Sequence, residues 1–334
     1  MSILTLGRSD VGHCGYCNKN SSAIFGLIAK DLVNDDYMTL MDSGFRRSGD
    51  FLYKPNMNQT CCPQFTIRAN VINLKPTKDY RKALNRLCRF AEVELPVSKE
   101  YKYQKTVDAL MKSSKLTITL EPSSFTDEKF SLYALYEQEV HSRETAELRR
   151  ESFKRFLCDT PFSEPTCYHH VYRLDGRLIA VSVLDVLPNA LSAVYFFWHP
   201  DMRKLELGKV STLIESQLTS EMGFTYYYLG YYIPTCPKMQ YKAQLKPCEL
   251  LDPSTNEFKS FEDVDLNPPF DIKDDPHVYD DLLTHGIRIK IFDTEMIYPD
   301  VPEFITSLLG NQIRDTALAV GPEIAKTVVF EVPV

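Results

Sequence analysis

The chain alternates between short apolar runs and stretches in which apolar residues recur every three or four positions. Runs of aromatic and β-branched residues are typical of strands, and a recurrence near 3.6 residues is typical of an amphipathic helix. In the first third of the chain these patterns predict strands at Phe51–Lys54 and Phe65–Ala69 and a helix at Thr77–Val93. Thr77 is a suitable N-cap for that helix.

The middle of the chain predicts strands and helices in alternation. The strands are predicted at Lys115–Leu120, Arg177–Leu187, Ser192–Trp198 and Tyr226–Ile233, and the helices from Thr126, over Glu144–Leu157 and over Lys204–Glu221. Pro188-Asn189 is a turn between two of the strands. This order indicates a mixed α/β layered fold.

The last part of the chain begins with a segment rich in Pro, Asp and Asn, over Asp252–Pro276, which is a candidate linker. Beyond it, alternating isoleucines predict a strand at Gly286–Phe292. We therefore expect three consecutive regions, over residues 1–120, 121–255 and 256–334.

Composition agrees with a folded water-soluble chain: of 334 residues, 44% are hydrophobic, 12% aromatic and 25% charged. No apolar run reaches the length of a membrane span, and the first residues lack the pattern of a secretory signal. We expect a cytoplasmic protein, or one also found in the nucleus, without a membrane partner. Phe45–Phe90 carries ten Lys or Arg against two acids, whereas Leu266–Val334 carries twelve acids against five bases. This difference suits an anionic partner bound at one place, and scattered solvated charge is an equal alternative.

Two cysteine pairs, Cys14 and Cys17 followed by Cys61 and Cys62, are spaced as metal ligands are. The first pair lies on a Cys-Gly-Tyr-Cys turn, and the second can supply the remaining two thiolates of a four-ligand site. Adjacent cysteines do not easily point the same way, so a single tetrahedral zinc ion would need a bent backbone there, whereas an iron–sulfur cluster such as [4Fe–4S] offers several metal corners. Both species stay open. The alternative is that some of these cysteines are small buried apolar residues.

Three further segments combine charge with aromatic or apolar residues. Arg46 and Arg47, followed by Lys54, form a basic patch that suits a carboxylate or a phosphate, although a solvated surface is an equal alternative. Asp185 lies inside an apolar strand, where a carboxylate is costly unless it is paired or functional. The tyrosine-rich strand Tyr226–Ile233 runs into a segment with lysines, which suits either core packing or stacking on an unpaired nucleotide.

Taken in order, these pieces resemble the arginyl-tRNA–protein transferase family. The motifs that carry the resemblance span residues 14 to about 255. They are Cys14-Gly-Tyr-Cys17, Gly44-Phe-Arg-Arg-Ser-Gly49, Tyr53-Lys-Pro55, Cys61-Cys-Pro63, Thr66-Ile-Arg68, Phe153-Lys-Arg-Phe-Leu157, Asp175-Gly-x-Leu-Ile-Ala180, Asp185-x-Leu-Pro188, Tyr226-Tyr-Tyr-Leu-Gly-Tyr-Tyr-Ile233 and Cys236-Pro-Lys-Met-x-Tyr-Lys242.

The resemblance implies a core like the GCN5-related N-acetyltransferases, in the manner of the FemABX and Leu/Phe-transferase proteins, joined to an N-terminal region with a zinc ion or iron–sulfur cluster. It also implies that arginine passes from Arg-tRNA to the α-amine of proteins that begin with Asp, Glu or oxidised Cys, which marks them for degradation. Because aminoacyl-tRNA is already an activated ester, no nucleotide cofactor is expected.

Within that reaction the residue chemistry suggests a role for each group. Asp185 with Tyr195 suits the guanidinium of the donor arginine, or Asp185 acts as the general base. Arg46, Arg47 and Lys54 suit the acidic residue of the acceptor. The candidates for the tRNA end, which needs phosphate neutralisation and base stacking, are Lys209, Tyr228, Lys238, Tyr241 and Lys242.

Two positions depart from the family pattern. Trp198-His199-Pro200 stands where Trp-Asp-Pro is usual, and Leu213-Ile214-Glu215 where Leu-Arg-Glu is usual. The alternatives are therefore a protein that binds tRNA or acidic N-termini without catalysis or, on the same fold, an acetyl-CoA-dependent N-acetyltransferase. The latter is disfavoured because only Gly208 stands where a glycine-rich pyrophosphate loop belongs.

Overall fold

The computed structural model describes residues 1–95, 101–272, 280, 282, 283 and 286–332. Its strands are β1 (Ile3–Thr5), β2 (Arg8–Gly12), β3 (Ser22–Asp31), β4 (Arg46–Ser48), β5 (Phe51–Pro55), β6 (Phe65–Asn70), β7 (Lys75–Pro76), β8 (Leu116–Pro122), β9 (Cys167–Leu174), β10 (Arg177–Leu187), β11 (Ala190–Trp198), β12 (Tyr226–Tyr232), β13 (Leu245–Lys246), β14 (Cys248–Asp252), β15 (Glu257–Ser260), β16 (Arg288–Ile291), β17 (Thr294–Ile297) and β18 (Val329–Glu331). Its α-helices are α1 (Asn34–Asp42), α2 (Lys78–Phe90), α3 (Tyr103–Met111), α4 (Asp127–His141), α5 (Arg150–Leu157), α6 (Leu207–Glu221), α7 (Glu303–Val320) and α8 (Pro322–Thr327).

Sixteen of the eighteen described strands build two eight-stranded sheets, and β7 and β13 pair with each other. The first has the order β17-β16-β18-β1-β3-β5-β4, with β2 also paired to β3. The second has the order β15-β14-β6-β12-β11-β10-β9-β8. Neighbouring strands of the second sheet are antiparallel except β11 and β12, which are parallel and joined through α6. The predicted mixed α/β class is confirmed.

Helices cover both faces of the second sheet. The apolar sides of α2, α3 and α6 pack on one face and form the largest core, whereas α4 and α5 pack on the other. A third core joins β1, β3, α1, α7 and α8 to Tyr228 of the second sheet, so the two sheets share buried contacts. None of the described helices has both the length and the apolar character that crossing a bilayer requires.

The predicted strands and helices are found near their predicted positions, with two instructive differences at helix ends. The helix predicted from Lys204 begins at Leu207, because Glu206 adopts a left-handed conformation with φ of 52° that separates α6 from a preceding 3₁₀ turn. The helix predicted over Glu144–Leu157 is likewise divided by extended backbone at Leu148 and Arg149. Thr77 is the N-cap of α2 as predicted, although its side chain makes no capping hydrogen bond.

The sheet order crosses the region boundaries expected at residues 120 and 255. Strand β6, from the first expected region, lies between β12 and β14 in the second sheet. The acidic third region contributes β16, β17 and β18 to the first sheet, where β18 pairs in parallel with β1. The candidate linker contains β15 and the buried Phe270, and its residues 273–276 lie outside the described residues.

Candidate active site

A buried ion pair fastens the first sheet to the second. Arg47 on β4 donates to both carboxylate oxygens of Asp185 on β10, from Nε at 2.7 Å and from Nη2 at 2.6 Å. Both side chains are at most 1% exposed. Arg47 also donates to the backbone oxygen of Gly49 and to the thiol sulfur of Cys167. Because a desolvated carboxylate needs a cation with matching geometry, this bidentate pair satisfies the buried Asp185.

The pair changes the roles predicted for its members. Asp185 was expected to meet the guanidinium of a substrate, but a guanidinium of this chain already occupies that position. Arg47 was expected to bind the acceptor, but its charge is used inside the fold. Tyr195 does not contact Asp185 in the sheet register, since β11 places Ser192 opposite Asp185 and Tyr195 opposite Val183. We therefore assign Arg47 and Asp185 a structural role.

Arg46, next to Arg47 on β4, keeps an unused binding capacity. Its side chain is 6% exposed and its guanidinium lies over the rings of Tyr228 and Tyr231, 5.5 Å and 5.4 Å from their centroids. Nη1 donates to the backbone oxygens of Met41 and Phe45. Nε and Nη2 are buried and have no hydrogen-bond partner among the described residues. Since buried donors are normally paired, these two nitrogens can take a further acceptor.

Lys242 reaches the opening between the two parallel strands. Strands β11 and β12 pair only as far as Ser192 and Tyr228, and beyond that point the Lys242 ammonium donates to the backbone oxygens of Leu229 (2.7 Å) and Tyr231 (2.9 Å). Desolvation, followed by the nearby charge of Arg46, lowers the pKa of Lys242 to about 7. This lysine therefore changes charge near neutral pH.

The structure places the other predicted tRNA-binding residues in different surroundings. Tyr228 is fully buried, and its hydroxyl contacts Asp42 and Arg68, so its ring is not available for stacking on a base. Lys209 is paired with the carboxylates of Asp79 and Glu206.

Two more of these candidates lie on the 3₁₀ segment Pro237–Gln244. Lys238 is exposed, with its ammonium on the backbone oxygen of Val140 at the end of α4. Tyr241 is half-buried, and its backbone oxygen accepts a hydrogen bond from the hydroxyl of Tyr80. Lys54, predicted to bind the acceptor, is half-buried with its ammonium 5.8 Å from the centroid of the Phe45 ring.

A cavity of about 300 Å³ lies between β4, α4, α5 and β11. Its lining residues are Ser48, Tyr133, Glu137, Arg143, Phe156 and Tyr195. Glu137 is 2% exposed, accepts a hydrogen bond from the Tyr195 hydroxyl and lies 3.1 Å from Nε of the half-exposed Arg143. The loss of water and the Glu137 charge strongly raise the pKa of Tyr195. The sequence did not single out Glu137, because its helix shows no clear amphipathic pattern.

The four predicted cysteine ligands come together. The thiol sulfurs of Cys14, Cys17, Cys61 and Cys62 all lie within 4.8 Å of one another. A hydrogen bond from the backbone of Lys19, and then one from Cys61, lowers the pKa of Cys17 to about 7, which favours the thiolate that a metal needs. Around one tetrahedral zinc ion, with bonds of about 2.3 Å, sulfurs stand roughly 3.8 Å apart. The donor set and its spacing therefore fit a bound metal.

The cysteine site adjoins the segment that carries Lys242. Ile233, at the end of β12, is fully buried against Cys14 and Cys62, and Cys236 packs on the same cluster. The Thr235 hydroxyl lies 3.8 Å from the Cys62 sulfur. The end of β12 is thus held against the loops that carry the four cysteines.

The two positions that depart from the expected motifs have ordinary structural surroundings. Ile214 is buried in the largest core, 3% exposed. The ring of His199 accepts a hydrogen bond from the backbone N–H of Asp201 and faces Arg177. Desolvation, and then the charge of Arg177, lowers the pKa of His199.

Two family models match this chain. The model described as "Arginine-tRNA-protein transferase, N terminus" matches residues 12–82, which include the cysteine site and β4. The model described as "Arginine-tRNA-protein transferase, C terminus" matches residues 128–252, which include α4, Asp185 and Lys242.

Three curated proteins that are similar to the chain illustrate its relatives. Arginyl-tRNA–protein transferase 1 of Saccharomyces cerevisiae is 33% identical over 297 residues, covering 72% of this chain and 58% of the yeast protein. Arginyl-tRNA–protein transferase 2 of Arabidopsis thaliana is 26% identical, covering 75% of this chain and 73% of its own length. An aspartate/glutamate leucyltransferase of Pseudomonas aeruginosa is 35% identical over 240 residues, covering 71% of this chain and 89% of the bacterial protein.

Two solved structures match this chain only weakly in backbone geometry and in sequence. The C-terminal domain of a putative lysylphosphatidylglycerol synthetase from Agrobacterium fabrum has a TM-score of 0.33 at 16% identity, covering 58% of this chain and 50% of that one. The Bacillus licheniformis L-PGS structure has a TM-score of 0.34 at 12% identity, covering 68% and 69%. Scores this low support no inference about function.

Proposed function

The chain belongs to the arginine-tRNA–protein transferase family, and we propose that it transfers arginine from Arg-tRNA to the α-amine of proteins with an acidic N-terminal residue. The observation that carries this proposal is that both family models match the chain and that the two matched regions meet, since Arg46 of the first region interacts electrostatically with Lys242 of the second. The chain spans 58% of the length of the yeast relative. The activity named for that relative is therefore a proposal for this chain. We also propose a location in the cytoplasm or nucleus and, as the family resemblance implies, a product that is marked for degradation.

The acceptor site of this proposal is centred on Arg46. A carboxylate of an N-terminal Asp or Glu would pair with Nε and Nη2, the two buried donors that have no partner among the described residues. The rings of Tyr228 and Tyr231 hold the guanidinium flat and restrict its direction. Lys54, on the neighbouring strand β5, stays a predicted contact of the acceptor, although the pairing of Arg46 with Tyr53 places it on the other face of the strands.

Lys242 is the group that we propose to accept the proton of the acceptor amine. In its neutral form the amine keeps two N–H donors, enough for the backbone oxygens of Leu229 and Tyr231, and retains a lone pair. The pKa of about 7 makes that form accessible at neutral pH. Arg46 is near enough to Lys242 for its charge to lower the pKa of the lysine. An acceptor whose side-chain carboxylate is bound at Arg46 would therefore have its α-amine near Lys242.

The reaction then needs no covalent enzyme intermediate. The acceptor nitrogen attacks the ester carbonyl carbon of the aminoacyl-tRNA, the new C–N bond forms and the C–O bond to the terminal ribose breaks. The proton that leaves the nitrogen passes to Lys242, which can return it to the departing ribose oxygen. Positioning of the two substrates supplies most of the remaining acceleration.

For the tRNA end we retain the exposed Lys238 as a phosphate contact, with Tyr241 beside it on the same segment. Lys209 can contribute only when it leaves Asp79 or Glu206. A binding site of this kind loses affinity steeply as salt rises.

We propose that Cys14, Cys17, Cys61 and Cys62 hold one metal ion. The sulfur spacing supports a single tetrahedral ion such as zinc over a [4Fe–4S] cluster, whose thiolates bind separate irons. Four protein ligands leave no open position for a substrate, so the role proposed for the metal is structural. It orders the loops that pack against Ile233 and Cys236.

The test is transfer of labelled arginine from charged tRNA to two peptides that differ only in a first residue of Asp or Gly. We expect label on the Asp peptide alone, and we expect Arg46→Met to abolish the difference between the peptides. A wild-type protein that binds the charged tRNA but leaves the ester intact with either peptide would instead support a binding protein.

The second candidate is leucine transfer to the same acceptors. The observation that favours it is the 35% identity to the leucyltransferase, of which this chain covers 89%. Leu-tRNA in parallel reactions decides between the two donors.

A further inference from the structure

The cavity beside β11 has features of a binding site for a cationic side chain. Glu137 places a carboxylate that is 98% buried in its wall, and the walls also include the rings of Tyr133, Phe156 and Tyr195. Aromatic rings around a carboxylate form a favourable site for a guanidinium, which is planar, weakly hydrated and attracted to ring faces. The volume of about 300 Å³ is at the lower end of the range for ligand pockets.

The guanidinium of Arg143 already contacts Glu137 in this cavity. Arg143 follows α4 directly after Ser142, and its Nε lies 3.1 Å from Oε2 of Glu137 while the side chain remains 55% exposed. Arg143 becomes hydrated when it leaves, and an entering cation takes its place on Glu137, so the exchange leaves no unpaired buried charge. Arg143 can therefore leave the cavity when a competing cation enters.

The cavity is also close to the proposed site of transfer. Because side chains alternate along a strand, Arg46 and Ser48 lie on one face of β4, and Ser48 lines the cavity. On β11, Tyr195 lies two residues beyond Ala193, whose backbone oxygen faces Gly230 beside the Lys242 ammonium. A donor ester near Lys242 would thus have its side chain within reach of Glu137.

We propose that this cavity receives the side chain of the donor amino acid, that Glu137 selects arginine, and that Arg143 occupies the site in its absence. The inference rests on the proposed function, because it names the group that distinguishes arginine from leucine in that reaction. Tyr195, predicted from the sequence to act beside Asp185, acts here as a positioning residue that holds Glu137.

The test compares Glu137→Gln, Arg143→Ala and, as a matched control on the exposed side of the same helix, Glu139→Gln. Each variant is assayed for kcat/KM of transfer to an Asp-initiated peptide from Arg-tRNA and from Leu-tRNA, and for binding of arginine methyl ester by calorimetry. Glu137→Gln should lower kcat/KM for Arg-tRNA by about 100-fold and should lower the affinity for arginine methyl ester by a similar factor, because the paired charge is lost. Arg143→Ala should raise the affinity for arginine methyl ester about 10-fold, since the side chain that competes with the ester is removed. Glu139→Gln should match the wild type.

The outcomes separate the inference from the proposed function. If the wild type transfers no amino acid from either tRNA, the proposed function fails. If it transfers arginine, and Glu137→Gln keeps wild-type ester affinity and the wild-type preference for Arg-tRNA over Leu-tRNA, the inference fails alone. Weaker ester binding by Arg143→Ala would also overturn it, since that result makes Arg143 part of the site. Thermal melting of each variant identifies losses that come from unfolding.

Discussion

Replacement of Asp185 by Asn should destabilise the fold and should not act as a substrate-binding change. Asp185 and Arg47 are at most 1% exposed and share two short hydrogen bonds, so the substitution leaves an uncompensated guanidinium in the interior. Breaking a buried pair by removing one partner costs about 3–5 kcal/mol. With an unfolding entropy of roughly 2.1 cal/mol/K per residue, 334 residues give about 1.4 °C per kcal/mol, so Tm should fall by about 4–7 °C.

Thermal melting of Asp185→Asn, Arg47→Met and the double variant measures this effect directly. We expect each single variant to lose the full amount, and the double variant to lose much less than the sum, because no isolated charge is left buried. The matched control is Asp201→Asn, whose carboxylate is 65% exposed and 3.3 Å from Arg177, and which should cost less than about 1 kcal/mol. An Asp185→Asn protein that melts with the wild type but has a raised KM for Arg-tRNA would refute the structural role.

Three further predictions concern backbone strain, metal content and protonation. In Gly49→Ala, the added Cβ would collide with the Arg155 backbone oxygen at a φ of 65°, so thermal melting should show a loss of about 2 kcal/mol or more. Gly176→Ala, with positive φ and nothing within 4 Å, should lose only about 1 kcal/mol. Elemental analysis of protein purified without chelators should find one zinc per chain, lost in Cys61→Ser; four irons with sulfide would contradict the single-ion site. Because the pKa of Lys242 is lowered in the fold, its charged form opposes folding below pH 7, and this penalty fades between about pH 7 and 10. In urea titrations the wild type should therefore gain stability relative to Lys242→Met across that window. A constant difference between the two proteins would argue against the lowered pKa.

Local patterns in the sequence predicted five of the eight strands of the second sheet, missing β9, β14 and β15, and only β5 and β16 of the first. Continuous apolar runs such as Arg177–Leu187 identify strands that are buried on both faces, and the structure contains them. Several strands of the first sheet have three to five residues and mixed burial, for example β1, β4 and β18. Their pairing depends on the two ends of the chain meeting, and no local pattern carries that information.

The same limit applies to the charged residues of the site. Arg47 and Asp185 are separated by 138 positions, so each could be judged only on its own neighbours, and each looked like a functional charge. Tyr228 was a stacking candidate because aromatic strands suit nucleotides, but both faces of β12 are covered, and its hydroxyl is bound to Asp42 and Arg68. The cysteine ligands were predictable, since their chemistry and spacing are unusual enough to identify them without contacts.

Three consecutive residues of β4 explain why stability and activity should respond to the same short segment. Arg47 projects from one face of the strand and is tied to Asp185 of the second sheet, while Arg46 and Ser48 project from the other towards the proposed acceptor site and the Glu137 cavity. The pair therefore fixes the distance between the two proposed substrate sites, although it touches neither. A change at Arg47 that left the chain folded would loosen both sites together, whereas a change at Arg46 or Glu137 would affect one substrate and spare the other.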